Sequence, residues 1–374
     1  MNTNHTEHVD TVVIGGGQAG LALGYYLARQ NRDFVILDAQ GSVGDAWRMR
    51  WDSLRLFTPA KYDGLPGMPF PGDALGFPTK DEVAHYLGAY AATFALPVRT
   101  GVRVDRLRRE GGHYVSSAGE HRWESKNVVL ATGGSQTPHT PAFADQLTST
   151  IVQRHSSAYR NPAELPPGAV LVVGAGNSGA EIARELSLTH PTRLAGTPAP
   201  EIPIRHGRTA ARFAFPAVRF LGLHVLTRRT PLGRRALADL ATHADPLVRT
   251  KVRDLVDAGV QLLPRVVGVQ GGRPELADGR VCDVSSVIWC TGYRDDFDWV
   301  EAPAFDGEGR PRQYRGVARS VPGLYFLGQA LMFAEASATL PGIGRDAAYL
   351  ARRIRAASGS TSAGLEVVEE SQWA

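Results

Sequence analysis

The chain of 374 residues is roughly two to three times the length of an ordinary domain, which excludes a single small binding module and favours two domains or one with a large insertion. Hydrophobic residues make up 43% and charged residues 21%, enough apolar material for a sizeable core and the wrong balance for a disordered, collagenous or coiled-coil chain. The 41 basic residues, nearly all Arg, stand against 37 acidic ones and are interspersed with them, so the net charge of +4 calls for no nucleic-acid partner.

Residues 1–10 are polar, with no basic flank and no long apolar run, and do not read as a secretory signal. Residues 10–14 form a short β-branched run that ends directly in Gly15-Gly-Gly-Gln-Ala-Gly20. Helical apolar spacing follows over 21–30, and Phe34–Leu37 is a second strand that closes on Asp38, completing a βαβ unit. Residues 41–79 are rich in Gly, Pro and aromatics and read as long loops; 81–94 read as a helix. Short alternating runs over 98–129, with turns at 110–112 and 118–119, predict a small antiparallel meander.

The βαβ pattern then recurs, as a strand at 169–173, the turn Gly174-Ala-Gly-Asn-Ser-Gly179, a helix at 180–188 and a strand at 192–196. The two turns are 159 residues apart, far beyond solenoid repeat lengths, and predict two separate dinucleotide-binding domains. An Arg-rich insertion over 198–250 carries eight arginines between 205 and 235, Arg205, Arg208, Arg212, Arg219, Arg228, Arg229, Arg234 and Arg235, with no acid between Glu201 and Asp239. Its apolar part, 210–226, is broken by Arg212, Arg219 and His224 and falls short of a membrane span, so no transmembrane segment and a cytoplasmic location are expected. A lid, a substrate tunnel, a membrane-surface contact and a solvated amphipathic helix pair all remain open for it. A strand at 284–290, another at 324–327 and a final helix near 345–356 complete the pattern; from 357 a Ser/Gly-rich tail reads as disordered. Cys282 and Cys290 fit neither a CxxC redox pair nor a zinc pattern, and no metal site is expected.

A glycine-rich turn between strand and helix serves a dinucleotide because the bare backbone can approach the pyrophosphate while the helix N-terminus offers free N–H groups and a positive dipole. Gly15, Gly17 and Gly20 meet this need, and Asp38, 23 residues after Gly15, stands where a carboxylate accepts the ribose hydroxyls. Gly174, Gly176 and Gly179 repeat the arrangement, with Asn177 and Ser178 as further donors. The position equivalent to Asp38 is Thr197, which neither repels nor binds the 2′-phosphate of NADPH, so NADPH and NADH both stay open. Arg193, Arg205 and Arg208 are near enough in sequence to contact such a phosphate. Two nucleotides on one chain suggest a resident flavin reduced by a nicotinamide that comes and goes. Ala131-Thr-Gly133 and Cys290-Thr-Gly292 each end a strand where the chain would cross between domains.

These residues, together with Gly44-Asp-Ala-Trp47, His155-Ser-Ser-Ala-Tyr-Arg-Asn-Pro162, Trp289-Cys-Thr-Gly-Tyr293 and Gly323-Leu-Tyr-Phe-Leu-Gly328, resemble the two-dinucleotide-binding-domain flavoproteins. Within them the resemblance is to the class B flavin-dependent monooxygenases, and most of all to small bacterial flavoproteins described as linked to ion transport. It implies an α/β chain of two Rossmann-like three-layer domains: an FAD domain in two parts, 1–165 and 286–356, around an inserted NAD(P)H domain, 166–285. It also implies that Gly15, Gly17, Gln18, Ala19, Gly20, Asp38, Ala39 and Gln40 hold the ADP half of FAD. Trp47 and Leu54 would lie beside the flavin, Val104 at the adenine, and Ala131, Thr132 and Gly133 near the pyrophosphate. Gly328, Ala338, Thr339 and Leu340 would close over the isoalloxazine and ribityl chain. Gly174, Gly176, Asn177, Ser178, Gly179, Thr197, Cys290, Thr291 and Gly292 would serve NAD(P)H.

The implied reaction is hydride transfer from NAD(P)H to FAD, then capture of molecular oxygen as a C4a-(hydro)peroxyflavin that oxygenates a small sulfur- or nitrogen-containing substrate. No side-chain nucleophile is required; Thr339 and His155 are the candidates for a catalytic part. The family fingerprint is represented by His155 and Tyr159, with Ser149 and Ile151 where it has Phe and Gly, which keeps an NAD(P)H oxidase or flavin reductase in view, as does the ion-transport description for a non-catalytic flavin redox sensor. Trp51, Phe57 and Tyr62 could join Trp47 in an aromatic wall or simply pack in the core. A homodimer stays open.

Overall fold

A computed structural model of the chain describes residues 6–240 and 245–359. The first βαβ unit is β1 (Thr6–Ile14), α1 (Gln18–Arg29) and β2 (Phe34–Leu37); the short helix α2 (Asp45–Arg48), α3 (Lys80–Thr93), β3 (Val98–Arg99) and a meander of β4 (Arg106–Glu110), β5 (His113–Ala118) and β6 (His121–Leu130) follow. After β7 (Thr137–Pro138) and β8 (Val152–His155) comes the second unit, β9 (Val170–Val173), α4 (Asn177–Leu186) and β10 (Thr192–Ala195). Helices α5 (Arg208–Phe213), α6 (Phe215–Phe220), α7 (Pro231–Leu240) and α8 (Val252–Asp257) lead to β11 (Gln261–Leu263), the hairpin β12 (Val266–Gln270) and β13 (Arg273–Leu276), and β14 (Ser286–Trp289). The chain returns through β15 (Tyr293–Arg294), β16 (Val300–Glu301), β17 (Gln313–Tyr314), β18 (Val317–Ala318) and β19 (Leu324–Phe326) to α9 (Leu340–Gly359).

Two sheets organise these elements. In the first, β3, β2, β1, β6 and β19 lie side by side and parallel, in register at Ile14, Leu37 and Leu130. Strand β6 changes partner along its length, pairing antiparallel with β5 over His121–Ser125 and parallel with β19 over Val128–Leu130. The second sheet, β11-β10-β9-β14-β8, is parallel throughout. Because its chain runs between β6 and β19 of the first sheet, the second Rossmann-like unit is inserted within the first, as the resemblance implied.

Parallel strands covered on both faces need uninterrupted apolar runs, and Val170–Val173, Ser286–Trp289 and Phe34–Leu37 are buried along their whole length. One face of the first sheet packs α1, α3 and α9 around Leu21, Leu23, Leu27, Leu87 and Ile343; the other packs the meander around Leu107, Trp123 and Phe326. Each fully buried leucine of this kind is worth roughly 1.5–3 kcal/mol relative to exposure. The second sheet carries α4 and α8 on one side and, on the other, Leu147, Ile151 and Trp289.

The elements depart from expectation mainly at their ends. Strand β1 begins four residues early, since Thr6–Val9 pair with Arg122–Ser125 although their polar composition hides it. Helix α9 starts at Leu340, before the expected 345, because Pro341 is tolerated in a first turn, where its missing N–H costs no bond. Residues 357–359, expected in a disordered tail, continue that helix; the rest of the tail lies outside the described residues.

Candidate nucleotide sites and the crossing between sheets

The two glycine turns are built alike. Gly15 has φ +115°, and a Cβ there would lie 2.3 Å from the Ala131 carbonyl oxygen; Gly174 has φ +108°, with 2.3 Å to the carbonyl oxygen of Cys290. A Cβ on Gly20 or Gly179 would stand 1.9 Å or 1.8 Å from the carbonyl oxygen of Gly15 or Gly174. These four glycines are therefore demanded by the close approach of backbone to backbone. Gly17 and Gly176 differ, since a Cβ on either would meet nothing within 4 Å. Each is the N-cap of its helix, α1 or α4, and neither cap makes a side-chain hydrogen bond. Helix α3 is the internal contrast, closed by Thr79 and Glu82 in a reciprocal capping box. Two uncapped N-termini with open space over them fit a pyrophosphate each, and the residues present suit FAD and NAD(P)H.

Asp38 at the end of β2 is buried, and accepts the Gly16 N–H at Oδ2 (3.0 Å) and the Gln40 N–H at Oδ1 (2.9 Å). Burial pushes its carboxyl above the ordinary value, and the two backbone donors pull the other way. Both oxygens keep lone pairs for a ribose. Gly16 was passed over by sequence reasoning: a Cβ there would lie 2.5 Å from Asp38 Oδ2, and its place as the middle of three consecutive glycines was the only signal. Val104 is buried in the meander-side core.

The far end of the first site is assembled around the start of α9. Gln18 donates from Nε2 to the Ala338 carbonyl (2.8 Å), and Gly328 abuts Ala19, with 2.8 Å from a Cβ there to the Ala19 Cβ. The Gly15–Gly20 turn, Gly328 and Ala338-Thr-Leu340 are thus brought together. Thr339 is exposed and donates its hydroxyl to the Ala336 carbonyl (2.7 Å). Trp47 is partly buried against the core beneath α1 and α3, whereas Trp51 and Leu54 pack with Tyr159 and Ile182 beside the second sheet, so the aromatic residues of 47–62 do not form one wall.

In the second site the Asn177 side chain is engaged locally: its amide nitrogen donates to the Pro246 carbonyl (2.9 Å) and its oxygen accepts the Val248 N–H (3.0 Å). Thr197 is exposed past β10. Arg193 donates to the Asp283 carbonyl and Arg208 pairs with Asp73, which leaves Arg205 as the nearby guanidinium without an ion pair among the described residues.

The chain crosses between sheets twice, and the crossings are bound together. Strands β7 and β15 pair antiparallel, Thr137 with Arg294 and Pro138 with Tyr293. The Thr291 hydroxyl donates to the His139 carbonyl, and the His139 N–H to the Gly292 carbonyl (2.9 Å). His155, at the end of β8, reaches the same turn through Nε2, 3.0 Å from the Gly292 carbonyl. Since a carbonyl only accepts, Nε2 carries the proton, and Nδ1 accepts the Ser157 N–H. Burial lowers the His155 pKa and keeps the ring neutral. Arg50 adds a hydrogen bond to the Tyr293 hydroxyl (2.9 Å), a contact with no signal in the sequence. His155 and Thr339 therefore belong to different neighbourhoods, the first at the crossing and the second at the α9 N-terminus. Tyr159 is fully buried and donates to Glu185 (2.8 Å).

A family model described as pyridine nucleotide-disulphide oxidoreductase matches residues 12–190. An uncharacterized CzcO-like oxidoreductase of Geobacillus kaustophilus is 39% identical over 345 residues, 91% of this chain and 97% of that protein. A probable indole-3-pyruvate monooxygenase of Arabidopsis thaliana, YUCCA3, is 26% identical, covering 85% of this chain and 81% of its own. Among solved structures, a flavin-containing monooxygenase from Stenotrophomonas maltophilia superposes with a TM-score of 0.75 at 31% identity, covering 94% of this chain and 99% of that one. With both dinucleotide turns, the inserted topology and this likeness over nearly the full length, the chain belongs to the class B flavin-dependent monooxygenase family, beside the CzcO-like oxidoreductases, and is an FAD- and NAD(P)H-dependent oxidoreductase.

Proposed function

We propose that the protein is a monooxygenase that uses FAD and NADPH or NADH to transfer one atom of molecular oxygen to a small sulfur- or nitrogen-containing substrate, with FAD in the domain of 1–165 and 286–356 and the nicotinamide in 166–285. The observation that carries the reading is the pair of open, uncapped helix N-termini at Gly17 and Gly176, joined by crossings bound together at Pro138, His139, Gly292 and Tyr293. Bound FAD would accept two electrons from NAD(P)H and activate oxygen. The chain's own part is to hold it, through the α1 N–H groups and Asp38, to position the nicotinamide over it from the α4 turn, and to exclude water. Disulfide chemistry has no support: Cys290 is half-buried and desolvation pushes its thiol up to about 12, and burial raises that of Cys282.

The test is stoichiometry. The holoprotein is supplied with NADPH and a panel of thioethers and amines, and oxygenated product and peroxide are both counted per coenzyme oxidised. Product matching coenzyme is expected for one substrate class; peroxide matching coenzyme with every substrate selects the oxidase or reductase reading that Ser149 and Ile151 favour. The site assignment has its own check. Gly176→Ala places a methyl group in space no protein atom occupies, so it is expected to raise the KM for NADPH about tenfold, the loss of about one charged hydrogen bond, with FAD content unchanged.

A further inference from the structure

We propose that the arginine-rich insertion is a docking surface for an anionic phospholipid bilayer, lying flat on the lipid headgroups. Large apolar side chains are concentrated on its outer side: Phe213 is 71% exposed, Phe220 60%, Leu232 58%, Leu221 43% and Val218 40%. The other exposed large hydrophobics, Met49, Leu188, Val256, Leu262, Val267 and Val281, belong to other segments. Residues 216–221 are exposed without interruption, while Ala210, Ala211, Phe215, Gly222 and Leu223 turn inward. An exposed apolar patch of this kind is unusual on a soluble surface and marks an interaction site.

The charge on this segment selects the partner. Eight arginines fall between Arg205 and Arg235 with no acid among them. The acids that reach it from other elements are few: Asp73 pairs with Arg208, and the exposed Glu335 lies against Gly222, where a Cβ would stand 2.6 Å from its Oε2. Arg205, Arg212 and Arg234 are exposed and have no ion pair among the described residues. A self-contact of this face in a two-fold dimer would set arginine against arginine, and a nucleic acid would leave Val218, Leu221 and Leu232 nothing apolar to enter. Anionic headgroups over acyl chains satisfy both halves of the surface. No helix of the described residues is long and apolar enough to cross a membrane, so the contact is interfacial.

The surface is preformed. Thr227 bridges to Ala334, the Arg228 N–H donates to the Phe333 carbonyl (2.9 Å), and Arg345 donates to the Leu223 carbonyl. These bonds fix the insertion to the loop just ahead of α9.

The experiment is co-sedimentation of the holoprotein with phosphatidylcholine vesicles, with and without phosphatidylglycerol, over a salt series. Binding that requires phosphatidylglycerol and weakens with salt is expected. The triple variant Arg212→Gln, Arg234→Gln, Arg235→Gln is expected to weaken it on the order of 100-fold, and Phe213→Ser with Phe220→Ser at least about tenfold. Both variants should keep their FAD content and melting temperature, since none of these side chains enters a core. Absence of sedimentation with phosphatidylglycerol, or variants that sediment like the parent, would overturn the proposal. So would size-exclusion showing that the Phe variant converts a dimer to a monomer while neither form binds vesicles, which would make the face a self-interface.

Discussion

At the residue scale, two buried carboxylates, Asp38 and Asp63, have opposite fates. Asp38 keeps both oxygens bonded to backbone N–H groups, which partly counter its burial. Asp63, in the loop of 41–79, is fully buried, accepts the Thr58 hydroxyl at Oδ1 and leaves Oδ2 without a partner. Burial pushes its carboxyl from 3.8 up to about 7. A raised acid contributes stability that is complete below its unfolded value and is lost as pH rises through the folded one, so Asp63 weakens the fold progressively between about pH 4 and pH 7. Asp63→Asn keeps the acceptor for Thr58 and removes the charge. It is expected to leave stability near pH 5 within about 1 kcal/mol of the parent and to raise it by on the order of 2–4 kcal/mol at pH 8, read from denaturant melts. His155 works in the other direction: its lowered pKa makes the folded state resist protonation, so stability falls as pH drops below about 6.5. His155→Asn should flatten that acid limb.

At the element scale, the caps separate structural helices from those that wait for a ligand. Thr79 accepts the Glu82 N–H while Glu82 accepts the Thr79 N–H (2.7 Å), so α3 needs nothing further at its start. Thr79→Ala is expected to cost about 1 kcal/mol in urea unfolding and to leave flavin content alone. Gly17→Ala lengthens no contact within the protein yet should lower FAD occupancy, measured by flavin absorbance per chain. This contrast also explains what was legible in the sequence. The turns at 15–20 and 174–179, the run Phe34–Leu37 and the meander were readable because each position there answers a single local demand: a glycine against a carbonyl, or an apolar side chain on a buried strand. Strands β7 and β15 were not, since two residues carry no periodicity and Pro138 argues against a strand; only tertiary pairing makes them one. The starts of α4 and α9 were read late because glycines and a proline sit in their first turns, where position rather than propensity governs. The Asn177 side chain looked free for phosphate because nothing local reveals the loop of 245–248 that it binds.

At the scale of the whole molecule, two nucleotide turns are useful only if their ligands meet, and the connection between them is small. The chain crosses at 131–139 and again at 290–294, and the bonds from Thr291, His139, His155 and Arg50 make those crossings one unit. The repeat of geometry at Gly15 with Ala131 and Gly174 with Cys290 ties each crossing directly to a turn, so a shift at the crossing is passed to the backbone that would carry the pyrophosphate. Hydride transfer requires donor and acceptor within about 3–3.5 Å, and a misplacement of about 1 Å can cost on the order of 100-fold. Thr291→Val removes the hydroxyl bonded to His139 while keeping the volume of the side chain. The expected result is a fall of at least about tenfold in the anaerobic rate of flavin reduction by NADPH, with FAD content, NADPH affinity and melting temperature close to the parent. A parent-like reduction rate would show that the β7–β15 pairing holds the geometry without this bond, and the Arg50→Ala variant would then isolate the remaining tie through Tyr293.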